Sequence, residues 1–232
     1  MTLARGLERR LSKPYQEFVF WRAMRRLLRE VPQESQAFNS DLLSDLVQGW
    51  GNDWSAQREF LTACLQQVRA TRGPVLQCGA GLSTLLIGAV AQRMQLTVWT
   101  LEHDVAHAAR VQGFLDRYGL RNVRLCVAPL RSYGDFDWYE PPAFDAIAGK
   151  FSLVICDGPA VETYGGRYGL LPVMGEKLSA DCTILLDDAT RPSERWIASR
   201  WARMLDAGEE IVGFEKPFIR LKAGQIPPNA AA

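Results

Sequence analysis

The sequence lacks the features that mark secreted and membrane-spanning proteins. Its 232 residues contain no apolar run as long as a transmembrane helix, and the N-terminal segment MTLARGLERR has no apolar signal-peptide core. We therefore expect a cytoplasmic protein without a membrane span. The formal net charge is only +1, so we expect no general affinity for polyanions and no nucleic-acid partner.

Cysteine and histidine are too few, and too poorly spaced, to indicate a metal or disulfide framework. The five cysteines include no Cys-x-x-Cys pair, and we interpret them as small buried apolar residues in a reducing compartment. His103 and His107 lie four residues apart at the start of a predicted helix, a spacing that could suit a metal. No third ligand accompanies them, so we interpret them as surface residues or as residues at the edge of a cofactor site.

The chain begins with helices and continues with alternating strands and helices. Residues 1–72 are predicted to form a helical extension, 73–224 the main domain, and 225–232 a frayed tail. The predicted strands are 74–78, 96–101, 123–127, 151–156 and 181–186, with a β-hairpin over 210–224. The predicted helices after the first one are 41–47, 55–70, 82–93, 104–118, 166–178 and 192–206. This alternation predicts an α/β fold: a doubly wound, Rossmann-like, mostly parallel seven-stranded sheet with a C-terminal antiparallel hairpin.

Glycines and an acidic residue follow the first two strands, at the sheet edge where such folds bind ligands. Gly79-Ala80-Gly81 could be a plain strand-to-helix turn, or bare backbone that lets a ligand approach closely. Glu102 ends the second strand and is placed to accept hydrogen bonds from ribose hydroxyls. Thr84 stands where a dinucleotide-binding motif has its third glycine, which argues against a nicotinamide-dependent oxidoreductase.

Four segments, LQCGAGLST, LEHD, LVICDGP and ILLDDATRPSE, resemble the class I S-adenosylmethionine-dependent methyltransferases, and most of all their small-molecule O-methyltransferase-like branch. The resemblance covers about residues 73–222 and implies S-adenosylmethionine as the cofactor. The cofactor-binding residues that it implies are Gln77, Gly79, Gly81, Ser83, Glu102, His103, Leu130 and Asp157. Gln77 departs from the acidic residue usual in the family, and an amide lacks charge assistance toward the cofactor's amino group.

Three carboxylates, Asp157, Asp187 and Asp188, follow the fourth and fifth strands of the predicted sheet. The catechol-type members of the family hold Mg²⁺ with an Asp after strand 4 and an Asp-Asn pair after strand 5, so the resemblance makes these three residues metal candidates. A second reading needs no metal: Asp157 or Asp188 is the catalytic base, its pKa raised by its neighbours. A third is that Asp187 or Asp188 caps the helix that begins near Pro192.

Aromatic and basic side chains in the loops give the predicted acceptor site. Its residues are Trp138, Tyr139, Tyr164, Arg167 and Arg191. Aromatic rings over a strand-end cleft can exclude water and hold a flat small molecule. The two arginines could pair either with the carboxylates or with an anionic substrate.

The N-terminal segment is basic, with eight Lys or Arg and three acidic residues among residues 1–33. An apolar stripe that includes Phe20, Met24 and Leu27 lies opposite its arginines, so this helix could pack on the domain, lie on a membrane, or bind an acidic partner. The resemblance implies that such helices cover the substrate cleft or form a homodimer interface.

Taken together, these patterns predict methyl transfer from S-adenosylmethionine to a small molecule, at oxygen in preference to nitrogen. Asp157 or Asp188 would assist deprotonation of the acceptor. Three alternatives stay open: a catalytically silent methyltransferase-like scaffold, which Gln77 allows; a nicotinamide-dependent oxidoreductase; and methyl transfer to RNA or protein, which only the basic N-terminal helix supports.

Overall fold

The computed structural model describes residues 13–31, 36–51, 57–142 and 149–223. The helices are α1 Lys13–Arg29, α2 Ser40–Trp50, α3 Arg58–Ala70, α4 Leu82–Arg93, α5 Val105–Tyr118, α6 Leu170–Met174 and α7 Pro192–Leu205. The strands are β1 Val75–Cys78, β2 Val98–Glu102, β3 Val123–Val127, β4 Leu130–Ser132, β5 Asp137–Tyr139, β6 Phe151–Cys156, β7 Leu178–Leu186, β8 Ala207–Val212 and β9 Phe218–Ala223. A 3₁₀ turn over Gly175–Lys177 joins α6 to β7.

Seven strands form one sheet in the order β3-β2-β1-β6-β7-β9-β8. The first five of these are parallel, and β9 runs antiparallel to both β7 and β8. The predicted fold class is therefore confirmed. Strand order reverses between β1 and β6, so the crevice outside their carboxyl ends is where this fold offers a ligand site.

Helices cover both faces of the sheet, and successive strand residues pack into opposite cores. Val75 packs with the helices α1 to α5, whereas Leu76 packs with α6 and α7. Strands buried on both faces favour apolar residues at successive positions, which is why β6 (FSLVIC) appears in the sequence as a nearly continuous apolar run. Strand β1 (VLQC) is also buried throughout but includes the polar Gln77. The N-terminal helices share the first core with α4 and α5, so apolar packing continues across residue 73. The predicted division at residue 72 stays a prediction.

Helix α1 packs through the predicted apolar stripe. Phe20, Met24 and Leu27 are buried against α2 and the first core, because they recur on one side of the helix. Tyr15 and Phe18 leave about half of their surface exposed (53% each). The homodimer through the N-terminal helices stays a prediction. Among the described residues, no helix combines the length and the apolar character needed to cross a membrane.

The segment before β7 differs from the prediction of a helix over 166–178. Gly165 and Gly166 have φ values of +77° and +55°, which a helix does not accommodate, so the chain turns there. Within the predicted range only Leu170–Met174 is α-helical, followed by the 3₁₀ turn. The strand that follows begins at Leu178 and not at residue 181.

Two further strand boundaries differ from prediction. The loop after β3 contains a small antiparallel hairpin, β4–β5, whose turn includes Gly134 at φ +89°. The C-terminal hairpin begins at Ala207, because Asp206 in the left-handed region ends α7 directly before it. The predicted start of α3 at Ser55 lies outside the described residues.

Candidate functional site

A cavity of about 470 Å³ opens at the carboxyl ends of β1, β2, β6 and β7. Ten of the predicted site residues border it: Gly79, Gly81, Ser83, Glu102, His103, Tyr139, Asp157, Arg167, Asp188 and Arg191. The N-terminal helices contribute Trp50 and Gln57. The volume lies within the range of small-molecule sites, and the position is the one that the reversal of strand order predicts.

Five other predicted residues do not border this cavity: Gln77, Leu130, Trp138, Tyr164 and Asp187. Trp138 is fully buried in the second core, and Tyr164 is 61% exposed. Asp187 is fully buried beside Asp188.

Two glycines bring the loops after β1 and β6 into backbone contact. Gly79 has φ +89°, and a Cβ added there would lie 3.0 Å from the Gly158 nitrogen. A Cβ on Gly158 would lie 2.6 Å from the Tyr139 hydroxyl and 2.9 Å from the Gly79 Cα. Any side chain at either position would separate the loops, so the floor of the cavity depends on glycine at both.

Hydrogen bonds fix the glycine loop in place. The Gly81 amide donates to Thr84 Oγ1 at 2.9 Å, and the Ala80 amide donates to Glu102 Oε2 at 3.0 Å. His107 Nε2 lies 3.0 Å from the Ala80 carbonyl oxygen, which can only accept, so this nitrogen carries the hydrogen. Thr84 therefore caps helix α4 where a dinucleotide-binding motif would have glycine.

The side-chain amide of Gln77 forms hydrogen bonds with other residues of the protein. Its Nε2 donates to Ser83 Oγ at 2.8 Å, and its Oε1 accepts from Thr100 Oγ1 at 3.2 Å. The side chain is fully buried and joins β1 to both β2 and α4. Ser83, and not Gln77, borders the cavity.

The wall of the cavity near β2 carries groups that suit an adenosine-type ligand. Glu102 accepts from the amides of Ala80 and Asp104, and its two oxygens retain further lone pairs. Tyr139 borders the cavity with a buried hydroxyl that has no hydrogen-bond partner in the described structure. The free lone pairs of Glu102 therefore fit a polar cofactor such as S-adenosylmethionine.

The opposite side of the cavity is an ion cluster centred on Arg167. Its Nη2 donates to Asp157 Oδ1 at 3.2 Å and to Asp188 Oδ2 at 3.0 Å, while Nη1 donates to the Asp187 carbonyl at 2.9 Å. Nε lies 3.9 Å from Glu194, which is also buried. Only 3% of the Arg167 side chain is exposed, so its guanidinium serves mainly to neutralise buried carboxylates.

Two further cations complete the ion cluster. Arg191 Nη1 lies 2.8 Å from Asp188 Oδ2, which shows that both predicted arginines pair with carboxylates. Lys216, in the β8–β9 turn, contacts Asp187 Oδ2 at 3.2 Å and Asp188 Oδ1 at 3.0 Å and borders the cavity.

Burial and charge separate the pKa values of the two candidate bases. Burial raises the pKa of Asp157 to about 7 against the lowering effect of Arg167, and the neighbouring carboxylates of Asp187 and Asp188 add to the rise. Burial also opposes ionisation of Asp188, but Arg167, Lys216 and Arg191 outweigh it and lower the pKa of that carboxyl. Asp157, with a quarter of its side chain exposed, is therefore the better proton acceptor near neutral pH.

The remaining readings of the carboxylates can be tested on the same geometry. The N-cap of α7 is Arg191, without a side-chain capping bond, so the helix-capping explanation for Asp187 and Asp188 is wrong. Oxygens of Asp157, Asp187 and Asp188 lie within 4.8 Å of one another, as a metal site requires. Those oxygens, however, already bind Arg167, Arg191 and Lys216, so the donor set does not fit Mg²⁺.

Lys216 is the main residue that the sequence did not identify. No motif surrounds it, but the topology offers a signal: β9 runs antiparallel to β7, so the hairpin turn lies at the same edge as the carboxyl end of β7. The sequence did not predict that Trp50 and Gln57 border the cavity, because no local sequence pattern shows how the N-terminal helices pack on the sheet.

No family model and no curated protein matches the chain. Among solved structures, it is similar to an S-adenosylhomocysteine-bound methyltransferase from Podospora anserina, with 15% identity, a TM-score of 0.54, and 97% and 100% of the two chains covered. It is also similar to a caffeoyl-CoA O-methyltransferase-like protein from Staphylococcus aureus (13% identity, TM-score 0.55, 80% and 99% covered). A third similar structure is a methyltransferase from Geobacter sulfurreducens, with 14% identity, a TM-score of 0.55, and 88% and 97% of the two chains covered. The chain therefore has the fold of these methyltransferases.

Proposed function

We propose that the protein is an S-adenosylmethionine-dependent methyltransferase that acts on a hydroxyl oxygen of a small molecule. The observation that carries this proposal is one cavity with the glycine loop and Glu102 on one side and the carboxylate of Asp157 on the other. The similar structures support it, since one binds S-adenosylhomocysteine and another is O-methyltransferase-like.

The cofactor side of the cavity is made of backbone and of one acidic residue. Gly81, with nothing within 4 Å of the position of a Cβ, leaves room for the amino-acid part of S-adenosylmethionine, and Gly79 keeps the loop close to Gly158. Glu102 accepts from the ribose hydroxyls with its remaining lone pairs. His103, whose ring lies 6.1 Å from that of Tyr139, would hold the adenine.

The acceptor side supplies a base and a fixed electrostatic environment. When bound, S-adenosylmethionine would supply an electrophilic sulfonium methyl group, whose sulfur would keep the electron pair of the broken bond. Asp157 accepts the proton that leaves the hydroxyl, because its pKa lies near neutral pH. Asp188, held by three cations, keeps Arg167 and Lys216 in place. Alignment of the acceptor with the methyl group supplies most of the rate enhancement.

Of the predicted acceptor residues, Tyr139, Arg167 and Arg191 border the cavity and stay in the proposal. Arg167 contributes through the carboxylates that it binds. Trp138 supports the second core behind the cavity, and Tyr164 lies outside the lining.

Calorimetric titration of the purified protein tests the cofactor. We expect heat from S-adenosylmethionine and S-adenosylhomocysteine and none from NAD. Glu102→Gln removes the charge that assists two hydrogen bonds and should weaken binding by about tenfold or more. Glu140→Gln, at an exposed ion pair with Arg131, is the matched control and should bind like the parent protein.

The same titration decides between the alternatives. Heat from NAD alone would favour the oxidoreductase, although Thr84 stands where a dinucleotide-binding motif has glycine. If neither S-adenosylmethionine nor S-adenosylhomocysteine produces heat, the methyltransferase proposal is wrong and the catalytically silent scaffold is the remaining hypothesis.

A further inference from the structure

The ammonium of Lys216 lies where the family resemblance would place a divalent cation. Its Nζ bridges Asp187 Oδ2 at 3.2 Å and Asp188 Oδ1 at 3.0 Å. These are carboxylates of the Asp-Asp pair that follows strand β7. The Lys216 side chain keeps 30% of its surface exposed and borders the same cavity as Asp157.

The charges in the ion cluster leave little attraction for an added dication. Four carboxylates (Asp157, Asp187, Asp188 and Glu194) face three cationic side chains (Arg167, Arg191 and Lys216). The net charge is one negative when every group is ionised, whereas an empty carboxylate triad would present three. Bound Mg²⁺ would also lie within a few ångströms of an ammonium and a guanidinium, and like charges at such distances repel strongly.

A separate set of contacts holds the turn that carries Lys216. The backbone amides of Phe214, Glu215 and Lys216 all donate to the carboxylate of Glu59 in α3, at 3.0 to 3.4 Å. Gly213, with φ +98°, allows the turn. The turn is therefore fixed from the N-terminal helices, independently of the carboxylates that Lys216 contacts, and Glu59 is a positioning residue for the ammonium.

We propose that Lys216 is a catalytic residue that takes the place of the metal ion, so that methyl transfer proceeds without a divalent cation. This inference rests on the proposed function. The Lys216 ammonium donates a hydrogen bond to the acceptor oxygen as the hydroxyl proton passes to Asp157. The oxygen then forms its bond to the methyl carbon while the sulfur–carbon bond breaks, and the electron pair stays on sulfur. A fixed ammonium stabilises the negative charge that develops on the oxygen, as a Lewis acid would.

The first test measures metal binding and needs no acceptor. Mn²⁺, which shares the oxygen ligands of Mg²⁺, is titrated into the full chain and followed by the electron paramagnetic resonance signal of the free ion. Lys216→Gln keeps a hydrogen-bond donor, on a side chain one atom shorter, but removes the charge, and Lys216→Ala frees both carboxylate oxygens. We expect each variant to bind Mn²⁺ at least about tenfold more tightly than the parent protein.

Lys222→Ala is the matched control, since Lys222 lies exposed on β9 of the same hairpin and does not border the cavity. It should leave Mn²⁺ affinity unchanged. Equal Mn²⁺ affinity in the Lys216 variants and in Lys222→Ala would overturn the proposal. Tight binding of one Mn²⁺ by the parent protein, lost in Asp187→Asn, would overturn it as well, because the carboxylates would then accept a metal beside Lys216.

Turnover provides the second test. Methyl transfer by the parent protein should be unchanged by a chelator, and Lys216→Gln should lower kcat by about 10²–10³-fold with unchanged affinity for S-adenosylmethionine. Loss of parent activity on chelation would refute the role of Lys216. Absence of S-adenosylmethionine binding in the parent protein would refute the proposed function instead, and the Mn²⁺ titration separates the two failures.

Discussion

The two sides of the cavity are built by different physical means. The side near β1 and β2 consists of backbone amides, glycines and hydrogen bonds between neutral groups, with Glu102 as its acid. The side near β6 and β7 consists of ionised side chains that neutralise one another around Arg167. The first is assembled from residues close in sequence, whereas the second joins residues from 157 to 216. We therefore expect the first side to be predictable from sequence motifs and the second side to be the more sensitive to a single substitution.

The largest expected effect is on the charged side. Arg167→Ala would leave Asp157, Asp188 and Glu194 without their shared cation, two of them buried. Removal of one partner from a buried ionic cluster typically costs about 3–5 kcal/mol. We expect the free energy of unfolding to fall by that amount at pH 7, measured by urea denaturation.

The control for this effect is Arg131→Ala. Arg131 pairs with Glu140 at 3.2 Å, but both side chains are more than half exposed. Such a surface pair contributes about 0–1 kcal/mol. A loss in Arg167→Ala no larger than in Arg131→Ala would show that the ion cluster is not a structural element, and the two sides of the cavity would then differ less than we infer.

The side of the cavity near β1 and β2, which we call the neutral side, was largely predictable because the sequence motifs that form it are short and local. The glycine loop, the acid at the end of β2 and the mostly parallel sheet follow from short segments and from strand–helix alternation. The orientation of Gln77 was not predictable. Its burial depends on Ser83 and Thr100, which lie on two other elements.

The charged side could be predicted only in part. The sequence placed Asp157 and Asp188 at the correct sheet edge and left open what Arg167 and Arg191 bind. Lys216 was not predicted, because its approach depends on the length of the β8–β9 hairpin and on the contact between its turn and Glu59. Long-range packing of this kind leaves no periodic pattern in the chain.

An intermediate effect is expected where the two sides meet. Gly158→Ala would place a methyl group 2.9 Å from the Gly79 Cα, which is backbone and cannot rotate away. Overpacking of this kind costs about 1–3 kcal/mol, and we expect that decrease in the free energy of unfolding, together with weaker binding of S-adenosylmethionine.

The matched substitution is Gly175→Ala, since nothing lies within 4 Å of a Cβ at that position. It should change stability by less than about 0.5 kcal/mol. Gly158→Ala could instead leave both the free energy of unfolding and the affinity for S-adenosylmethionine as unchanged as Gly175→Ala does. The close contact between the loops after β1 and β6 would then not be needed, and neither side of the cavity would depend on the other for its structure.

The smallest expected effect is a change in rate with pH, and it tests the chemistry of the charged side. Asp157 faces the cations of Arg167 and Lys216 and the carboxylates of Asp187 and Asp188, and its pKa of about 7 reflects chiefly its burial. Because a base acts only when deprotonated, kcat/KM should fall about tenfold per pH unit below pH 7 and level off above it, a difference of about 1.4 kcal/mol per unit. Asp157→Asn should be slower by about 10²-fold or more at pH 8 and should lose this inflection, as measured from initial rates of methyl transfer between about pH 6 and pH 8.5. If the inflection persists in Asp157→Asn, the titration belongs to another group and Asp157 is not the base. If the inflection is lost, Asp157 is the titrating group: within a cluster of charged side chains, the raised pKa of this one carboxylate lets it accept a proton near neutral pH.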